Sequence, residues 1–168
     1  MTGTLTIKPL ANEFFDMPIA HRGFHDCNGS FGSGRPENSY SAFKAAISQG
    51  YGIELDIQLS ADSVPVVFHD NSLERLLKIN KKISDLTLDS LKQFRLSNQE
   101  KIPTLDEFLE LVDGQVPILI ELKDQDGFFS HSTGRLETAV ANSLKKYKGP
   151  VAVMSFNPFL IKEFSLKL

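Results

Sequence analysis

Short runs of strand-like composition alternate along this chain with longer segments in which apolar residues recur every three or four positions. The short runs predict five strands, at residues 17–21, 52–59, 64–68, 116–122 and 151–154. The longer segments predict helices that begin near residues 38, 104, 136 and 158, with two weaker helical patterns within residues 73–96. Strands that alternate with helices are typical of a mainly parallel sheet, so the sequence predicts an α/β fold.

The length of the chain limits the number of such units. Its 168 residues suffice for one domain, and no internal repeat or linker divides them. A (β/α)8 barrel requires eight strands and typically about 250 residues. This chain predicts five strands and ends inside a helical pattern over residues 159–168. Residues 1–168 are therefore expected to form either a smaller open-sheet domain or roughly two-thirds of a barrel.

The composition excludes several classes of protein. The net charge of −3 comes from 18 basic and 21 acidic residues, which gives no electrostatic basis for binding nucleic acid. No apolar run approaches the roughly 20 residues of a membrane span, and residues 1–16 lack the features of a secretory signal. The single cysteine, Cys27, excludes an internal disulfide and a cysteine-based zinc site. We therefore expect a cytoplasmic protein without stable membrane insertion, whose oligomeric state the sequence leaves open.

Two acidic residues lie within the predicted strand at residues 52–59. Glu54 and Asp56 are two positions apart, so their side chains share one face of the strand, while the apolar residues at positions 53, 55 and 57 face the other. Two carboxylates on a buried strand are costly unless a cation or basic groups compensate their charge. The pair therefore indicates a site that binds a cation or basic groups, with a solvated strand at the edge of the sheet as the alternative.

A third carboxylate ends another predicted strand. Glu121 lies near the end of the apolar run 116–122, and Lys123 is two residues further on the same face. In a parallel sheet, ligands bind beyond the carboxyl ends of the strands, where Glu54 and Asp56 also lie. Three carboxylates without a cysteine favour a hard divalent cation, Mg²⁺ or Ca²⁺. Taken singly, Lys123 has the ordinary interpretation of a surface lysine.

Two histidines stand at equivalent strand ends. His21 ends the first predicted strand and is followed by Arg22, and His69 ends the third. A metal ion, two imidazoles and a guanidinium suit phosphoryl chemistry, because together they can neutralise phosphate charge and move protons. Either histidine alone would more simply be a hydrogen-bonded structural residue.

The link between the predicted strands 52–59 and 64–68 is too short for a helical crossover. In one interpretation it is a hairpin that turns near Asp62, which places Asp56 opposite Phe68. In the other it is an extended return of the chain, at about 3.3 Å per residue. Both arrangements leave the histidine after the second of these strands near the two carboxylates.

Six motifs occur in the order found in one protein family. They are His21-Arg22-Gly23, Pro36-Glu37-Asn38-Ser39, Glu54-Leu55-Asp56-Ile57-Gln58-Leu59, Val64-Pro65-Val66-Val67-Phe68-His69-Asp70, Ile102-Pro103-Thr104-Leu105 and Glu121-Leu122-Lys123. With them, the sequence resembles the glycerophosphodiester phosphodiesterases, and the pattern around Ser155-Phe156-Asn157-Pro158 is also similar to that family. The resemblance implies a TIM (β/α)8-type barrel that lacks its last strands in this chain. It also implies a mechanism related to that of the phosphoinositide-specific phospholipases C.

The resemblance further implies roles for seven residues. Glu54, Asp56 and Glu121 would bind one divalent cation, His21 and His69 would act as general acid and base, and Arg22 and Lys123 would contact the phosphate. Which histidine is the acid, and whether the cation is Mg²⁺ or Ca²⁺, stay open at this point.

The implied reaction is the hydrolysis of a glycerophosphodiester, such as glycerophosphocholine or glycerophosphoethanolamine, to glycerol 3-phosphate and an alcohol. Water could attack phosphorus directly, or a glycerol hydroxyl could first form a cyclic phosphate that is then hydrolysed. One alternative is a lysophospholipase D-type hydrolase, whose apolar entrance the Phe-containing loops at residues 24–31 and 128–129 would supply. Another is a truncated relative that binds phosphate or metal without catalysis.

Overall fold

The computed structural model of the chain describes residues 9–26, 34–125 and 134–167. Its strands are β1 (Ile19–Ala20), β2 (Gly52–Leu59), β3 (Pro65–Val67), β4 (Ile118–Leu122) and β5 (Val151–Met154). Its α-helices are α1 (Glu13–Asp16), α2 (Tyr40–Ser48), α3 (Glu74–Leu77), α4 (Leu88–Leu91), α5 (Leu105–Val112), α6 (Arg135–Leu144) and α7 (Pro158–Ser165), with a 3₁₀ turn at Ile83–Asp85. No helix in these ranges combines the length and the apolar character that a membrane span needs.

Four of the strands form a parallel sheet in the order β1-β2-β4-β5. β2 lies inside this sheet, and all of its residues are buried. β3 differs from the others, because it pairs with β2 in the antiparallel direction. The five strands and their mainly parallel arrangement confirm the predicted α/β fold. Because the four strands of the sheet run parallel, their carboxyl ends lie at one edge, where side chains from different strands meet.

The two faces of β2 carry different kinds of side chain. Its apolar residues at positions 53, 55 and 57 belong to the main core, in which helices α2, α5, α6 and α7 pack on the sheet. Phe43 of α2 and Phe108 of α5 meet in this core, with ring centroids 4.7 Å apart. The alternate residues, which include Glu54 and Asp56, point to the opposite face of the strand. The packing of the helices on one face therefore directs the carboxylates to the other.

β2 and β3 form a hairpin. Their register pairs Ile57 with Val67, and the amide of Phe68 donates a 3.0 Å hydrogen bond to the carbonyl oxygen of Asp56. This is the pairing that the hairpin interpretation predicts, and the extended return is wrong. The hairpin carries the chain back along β2, so the residues that follow β3 arrive beside its carboxylates.

β1 is shorter than the strand predicted for residues 17–21. It comprises two residues, Ile19 and Ala20, which pair with Gly52 and Ile53 of β2. Arg22 and Gly23 then take φ values of 56° and 78°, in the left-handed region, and turn the chain away from the sheet. The strand therefore ends one residue earlier than predicted.

The segment 73–96 also differs from its two predicted helical patterns, because it contains three single turns: α3, the 3₁₀ turn and α4. Lys78 has a φ of 62° and ends α3 after one turn. The apolar residues of the segment pack into a second core, which includes Leu73, Ile83 and Leu91. Packing in this small core fixes the course of the backbone more strongly than helical periodicity does.

Candidate active site

Three carboxylates from two neighbouring strands meet at the carboxyl edge of the sheet. Glu54 and Asp56 come from β2, and Glu121 comes from β4, where it is the register partner of Asp56. Each is at most 6% exposed. One oxygen from each of them lies within 4.8 Å of the others, so the cluster could hold a metal ion. The predicted grouping of these three residues is thereby confirmed, and the alternative of a solvated edge strand is wrong.

The first two carboxylates use only part of their hydrogen-bonding capacity. Oε2 of Glu54 accepts a 2.9 Å bond from the amide of Arg22, and Oδ2 of Asp56 accepts a 2.8 Å bond from Nδ2 of Asn38. Among the described residues, Glu54 Oε1 and Asp56 Oδ1 accept no hydrogen bond, although both are buried. Buried carboxylate oxygens without donors are costly. A hard divalent cation fits such a set of oxygen atoms.

Burial and the crowding of these negative charges disfavour the ionised form of Glu54. Burial, followed by the negative charge of Asp56, raises the pKa of Glu54 to about 7, against the opposing effect of the hydrogen bond from the Arg22 amide. Either a proton on Glu54 or a cation in the cluster would reduce the repulsion between these carboxylates, so protonation and cation binding compete.

Two basic side chains border the carboxylates. Lys123 Nζ lies 2.7 Å from Glu121 Oε1 and 3.5 Å from Asp56 Oδ1. Arg22 Nε lies 3.4 Å from Asp56 Oδ2. Both side chains are mostly buried, with 17% of each exposed. The structure thus brings both predicted phosphate-binding residues to the carboxylate cluster, and the surface-lysine interpretation of Lys123 is wrong.

An unusual backbone conformation positions the amide of Arg22. The φ of 56° at Arg22 lies in a region that residues other than glycine seldom occupy, and such conformations are concentrated at functional sites. The carbonyl oxygen of Arg22 accepts a 2.9 Å bond from the amide of Asn38, which itself has a φ of 55°. The two strained residues therefore stabilise each other while one contacts Glu54 and the other contacts Asp56.

Asn38 is a site residue that the sequence interpretation missed. The sequence placed Asn38 among the residues that begin a helix. The N-cap of α2 is instead Ser39, whose side chain accepts a hydrogen bond from the amide of Ala42. Asn38 instead lies one residue before the cap and directs its side-chain amide to Asp56. Asparagine is enriched in the left-handed region, which is the available sequence signal for this role.

The two histidines approach the cluster from different strands. His21 follows β1, and its Nε2 lies 3.9 Å from Glu54 Oε2 with 67% of the side chain exposed. Partial burial and then the positive charge of Arg22 lower the pKa of His21. His69 follows β3, and its Nδ1 lies 2.6 Å from Oδ1 of Asp70. Because an ionised carboxylate only accepts hydrogen bonds, we assign the proton to Nδ1 of His69, which leaves Nε2 for other partners.

The backbone that carries His69 is held from inside the fold by Gln58. This side chain is fully buried, two positions beyond Asp56 on the same face of β2. Its Nε2 lies 2.8 Å, 3.1 Å and 2.7 Å from the carbonyl oxygens of Phe68, His69 and Asp70. Strand alternation places Gln58 on the carboxylate face, but the sequence does not show which backbone it binds.

A cleft of about 380 Å³ opens beside these groups, and its lining includes His69, Glu121 and Lys123. Phe156, 83% exposed, stands on the same cleft. The sequence predicted an apolar entrance formed by two Phe-containing loops. Phe24, which belongs to the first of these loops, is 41% exposed. Residues 27–31 and 128–129 of those loops lie outside the described residues. Phe156 is the exposed aromatic residue that the structure adds to this prediction.

Comparison with known proteins gives a consistent result. Residues 21–168 match the Glycerophosphoryl diester phosphodiesterase family. A glycerophosphodiester phosphodiesterase of Caldanaerobacter subterraneus is 32% identical over 155 residues, which cover 86% of this chain and 60% of that protein. The human glycerophosphodiester phosphodiesterase 1 is 33% identical over 155 residues, which cover 85% of this chain and 43% of that protein.

A solved structure agrees with these relatives. A phosphodiesterase of Oleispira antarctica, in complex with the product sn-glycerol-3-phosphate, superimposes with a TM-score of 0.74 at 30% identity, over 90% of this chain and 62% of that one. The likeness confirms the predicted TIM-barrel type of α/β fold. This chain spans about three-fifths of the length of the Oleispira antarctica and Caldanaerobacter subterraneus proteins. The chain belongs to the glycerophosphoryl diester phosphodiesterase family.

Proposed function

We propose that this chain carries a metal-dependent phosphodiesterase site that hydrolyses glycerophosphodiesters, such as glycerophosphocholine and glycerophosphoethanolamine, to glycerol 3-phosphate and an alcohol. The charge of the site carries this proposal. With Glu54 deprotonated, as cation binding requires, the three carboxylates and the two basic groups sum to one negative charge, which repels a phosphodiester. One divalent cation in the carboxylate cluster reverses the sign to one positive charge, which attracts it.

Glu54, Asp56 and Glu121 are the proposed ligands of this cation, which is Mg²⁺ or Ca²⁺. All three offer oxygen atoms, as these hard cations require, and two of those oxygens are buried and accept no hydrogen bond from the described residues. When bound, the cation polarises a phosphoryl oxygen and neutralises part of its charge.

Arg22 and Lys123 are the proposed phosphate-binding residues. A guanidinium can donate two parallel hydrogen bonds to phosphate oxygens, and an ammonium acts as a point charge beside them. Arg22 is held by Asp56 and by Glu37, whose Oε1 accepts a 3.1 Å bond from its Nη1. These contacts orient Arg22 before substrate arrives, which lowers the entropic cost of binding.

His21 and His69 are the proposed general acid and base. One imidazole takes a proton from the attacking water or glycerol hydroxyl as its oxygen bonds to phosphorus. The other donates a proton to the alcohol oxygen as the bond between that oxygen and phosphorus breaks. The contact of His69 Nδ1 with Asp70 supports this role, because it fixes the tautomer of the ring.

The product complex of the Oleispira antarctica relative supports glycerol 3-phosphate as the product. The decisive experiment measures release of glycerol 3-phosphate from glycerophosphocholine by the purified chain, with Mg²⁺, with Ca²⁺ and with a chelator. We expect release that requires the cation, that Glu121→Gln abolishes and that Glu110→Gln, an exposed control on α5, leaves intact. Release that persists with the chelator or in Glu121→Gln would contradict the metal site. No release from the folded chain would favour the non-catalytic alternative.

Lysophospholipid hydrolysis is a second candidate, which Phe156 favours. An exposed aromatic ring on the cleft that contains Lys123 could contact an acyl chain next to a bound phosphate. The same assay with lysophosphatidylcholine tests it. Turnover that exceeds that of glycerophosphocholine and that Phe156→Ala removes would establish this alternative.

A further inference from the structure

Arg75 of α3 bridges two carboxylates from distant parts of the chain. Its Nε lies 2.5 Å from Oδ2 of Asp70, and its Nη2 lies 3.1 Å from Oδ1 of the same residue. On its other side, Nη1 and Nη2 lie 3.0 Å and 2.6 Å from Oε2 and Oε1 of Glu37. Each carboxylate is therefore contacted by two nitrogen atoms of one planar guanidinium, an arrangement that fixes direction as well as distance.

Each of these carboxylates contacts one of the proposed active-site residues. Oε1 of Glu37 also accepts a 3.1 Å bond from Nη1 of Arg22. Oδ1 of Asp70 lies 2.6 Å from Nδ1 of His69. The five side chains form a continuous series, Arg22–Glu37–Arg75–Asp70–His69, which we call the ion-pair chain. It connects the turn after β1 with the segment after β3, two strands that pair with different parts of β2.

Four members of the ion-pair chain, Arg22, Glu37, Arg75 and Asp70, carry charges that alternate in sign. Burial alone would raise the pKa values of Glu37 and Asp70, but hydrogen bonds from Arg75, together with those from Arg22 and His69, lower both. Both carboxylates are therefore ionised at neutral pH. Without the guanidinium between them they would lose their shared partner, and each would be free to turn away from the residue that it orients.

We propose that Arg75 is a positioning residue that holds Arg22, through Glu37, and His69, through Asp70, in their working orientations. This inference rests on the proposed function of Arg22 and His69. Arg75 itself does not belong to the carboxylate cluster, and its side chain is 47% exposed. Ion pairs at exposed positions contribute little to stability, so variants at this position are expected to fold.

The kinetic test compares Arg75→Ala, Arg75→Lys and a control, Arg95→Ala, with glycerophosphocholine as substrate. Arg95 is exposed and its Nη1 binds the backbone carbonyls of Lys92 and Phe94. Loss of a residue that orients a reacting group typically costs about 10–100-fold, so we expect that loss in Arg75→Ala, mostly in kcat. Guanidinium ion added to this variant should restore part of the loss. The kcat of Arg75→Lys should lie between those of Arg75→Ala and wild type, and the kcat of Arg95→Ala should stay near that of wild type.

A spectroscopic test separates this inference from the proposed function. In the chain without metal or substrate, the proton on Nδ1 of His69 should give a downfield signal because of its contact with Asp70, assigned with His69→Gln. Arg75→Ala should shift or broaden that signal, and Arg95→Ala should leave it unchanged. If the wild-type chain shows no turnover, this measurement decides alone. An unchanged signal, or wild-type kcat and KM in Arg75→Ala, would overturn the inference.

Discussion

The main-chain amide of Arg22 donates a 2.9 Å hydrogen bond to Oε2 of Glu54. This bond uses a backbone donor that, among substitutions at this position, only proline would remove, and it depends on the left-handed φ of 56° at Arg22. It fixes one oxygen of the carboxylate, while the other oxygen, Oε1, accepts no bond from the described residues. One backbone conformation thus separates the two oxygens of a carboxylate into a structural atom and an atom available to a cation.

Glu54→Gln should weaken cation binding. The amide keeps the size of the side chain and can still accept the bond from Arg22, but it removes a ligand charge. Since loss of an outer partner of a metal site already costs about 10–100-fold in affinity, loss of a ligand should cost at least about 100-fold. Titration calorimetry with Mg²⁺ and Ca²⁺ measures the affinity for the cation. The control is Glu110→Gln, a substitution at an exposed position. Equal affinities in the two variants would remove Glu54 from the cation site.

The stability of the metal-free chain should depend on pH through Glu54. Its pKa is raised from 4.5 in a model peptide to about 7 in the folded chain, so the folded state binds this proton more tightly than the unfolded state does. The resulting stabilisation is present below pH 4.5 and is lost as the pH rises towards 7, by roughly 3 kcal/mol. Other carboxylates change the curve as well, so the measured quantity is the difference between wild type and Glu54→Gln.

Chemical denaturation in the presence of a chelator, between pH 4.5 and 8, gives this difference. Wild type should lose stability relative to Glu54→Gln across that range. Saturating Mg²⁺ or Ca²⁺ should reverse the loss at the upper end, because cation binding and protonation compete for the same carboxylate. Parallel curves for the two proteins would show that Glu54 titrates normally.

His21→Ala and His69→Ala should each lower kcat by roughly 10²–10⁴-fold if they act as positioned acid and base. His69 receives a fixed tautomer from Asp70, whereas His21 is 67% exposed and lies 3.9 Å from Glu54. Steady-state turnover of glycerophosphocholine measures both effects, with circular dichroism to confirm that the variants fold. Wild-type turnover in either variant would exclude that histidine from proton transfer.

Gly23→Ala should destabilise the fold more than Gly50→Ala. Both glycines have left-handed φ values, of 78° and 68°, which cost an alanine about 1–2 kcal/mol. A Cβ at Gly23 would also lie 3.0 Å from atoms of Ala42 and Phe43, whereas a Cβ at Gly50 would meet nothing within 4 Å. We expect a loss of roughly 2–4 kcal/mol for Gly23→Ala, measured by urea denaturation. Equal losses would mean that α2 moves to accept the added methyl group.

Much of the site could be predicted from the sequence because strand alternation has a fixed period. The shared face of Glu54 and Asp56, and the arrival of Glu121 at the same edge, follow from that period and from parallel pairing. The short link between β2 and β3 excluded a helical crossover, and the hairpin, one of the two arrangements that it left open, is the one observed. The helix that begins after Thr104 was also predictable, since its capping box is local in sequence.

The remaining contacts depend on backbone turns and on long side chains, for which the sequence has no comparable period. Asn38 reaches Asp56 only because two residues adopt left-handed conformations. Arg75 meets Glu37 across a long sequence separation through a flexible side chain. The single turns within residues 73–96 likewise follow the packing of a small separate core. Such features are decided by tertiary contacts, so a single sequence does not reveal them.

The hairpin of β2 and β3 has a consequence for how the site assembles. Because its two strands are close in sequence, contacts between them can form early in folding, and they bring His69 to Glu54 and Asp56 as one local unit. Glu121 joins from a distant part of the chain, and only when β4 pairs with β2. Binding of a cation by all three carboxylates would then be a late event, which requires completed long-range pairing. A metal ion bound by carboxylates of both β2 and β4 would crosslink the two strands and so slow their separation once they have paired.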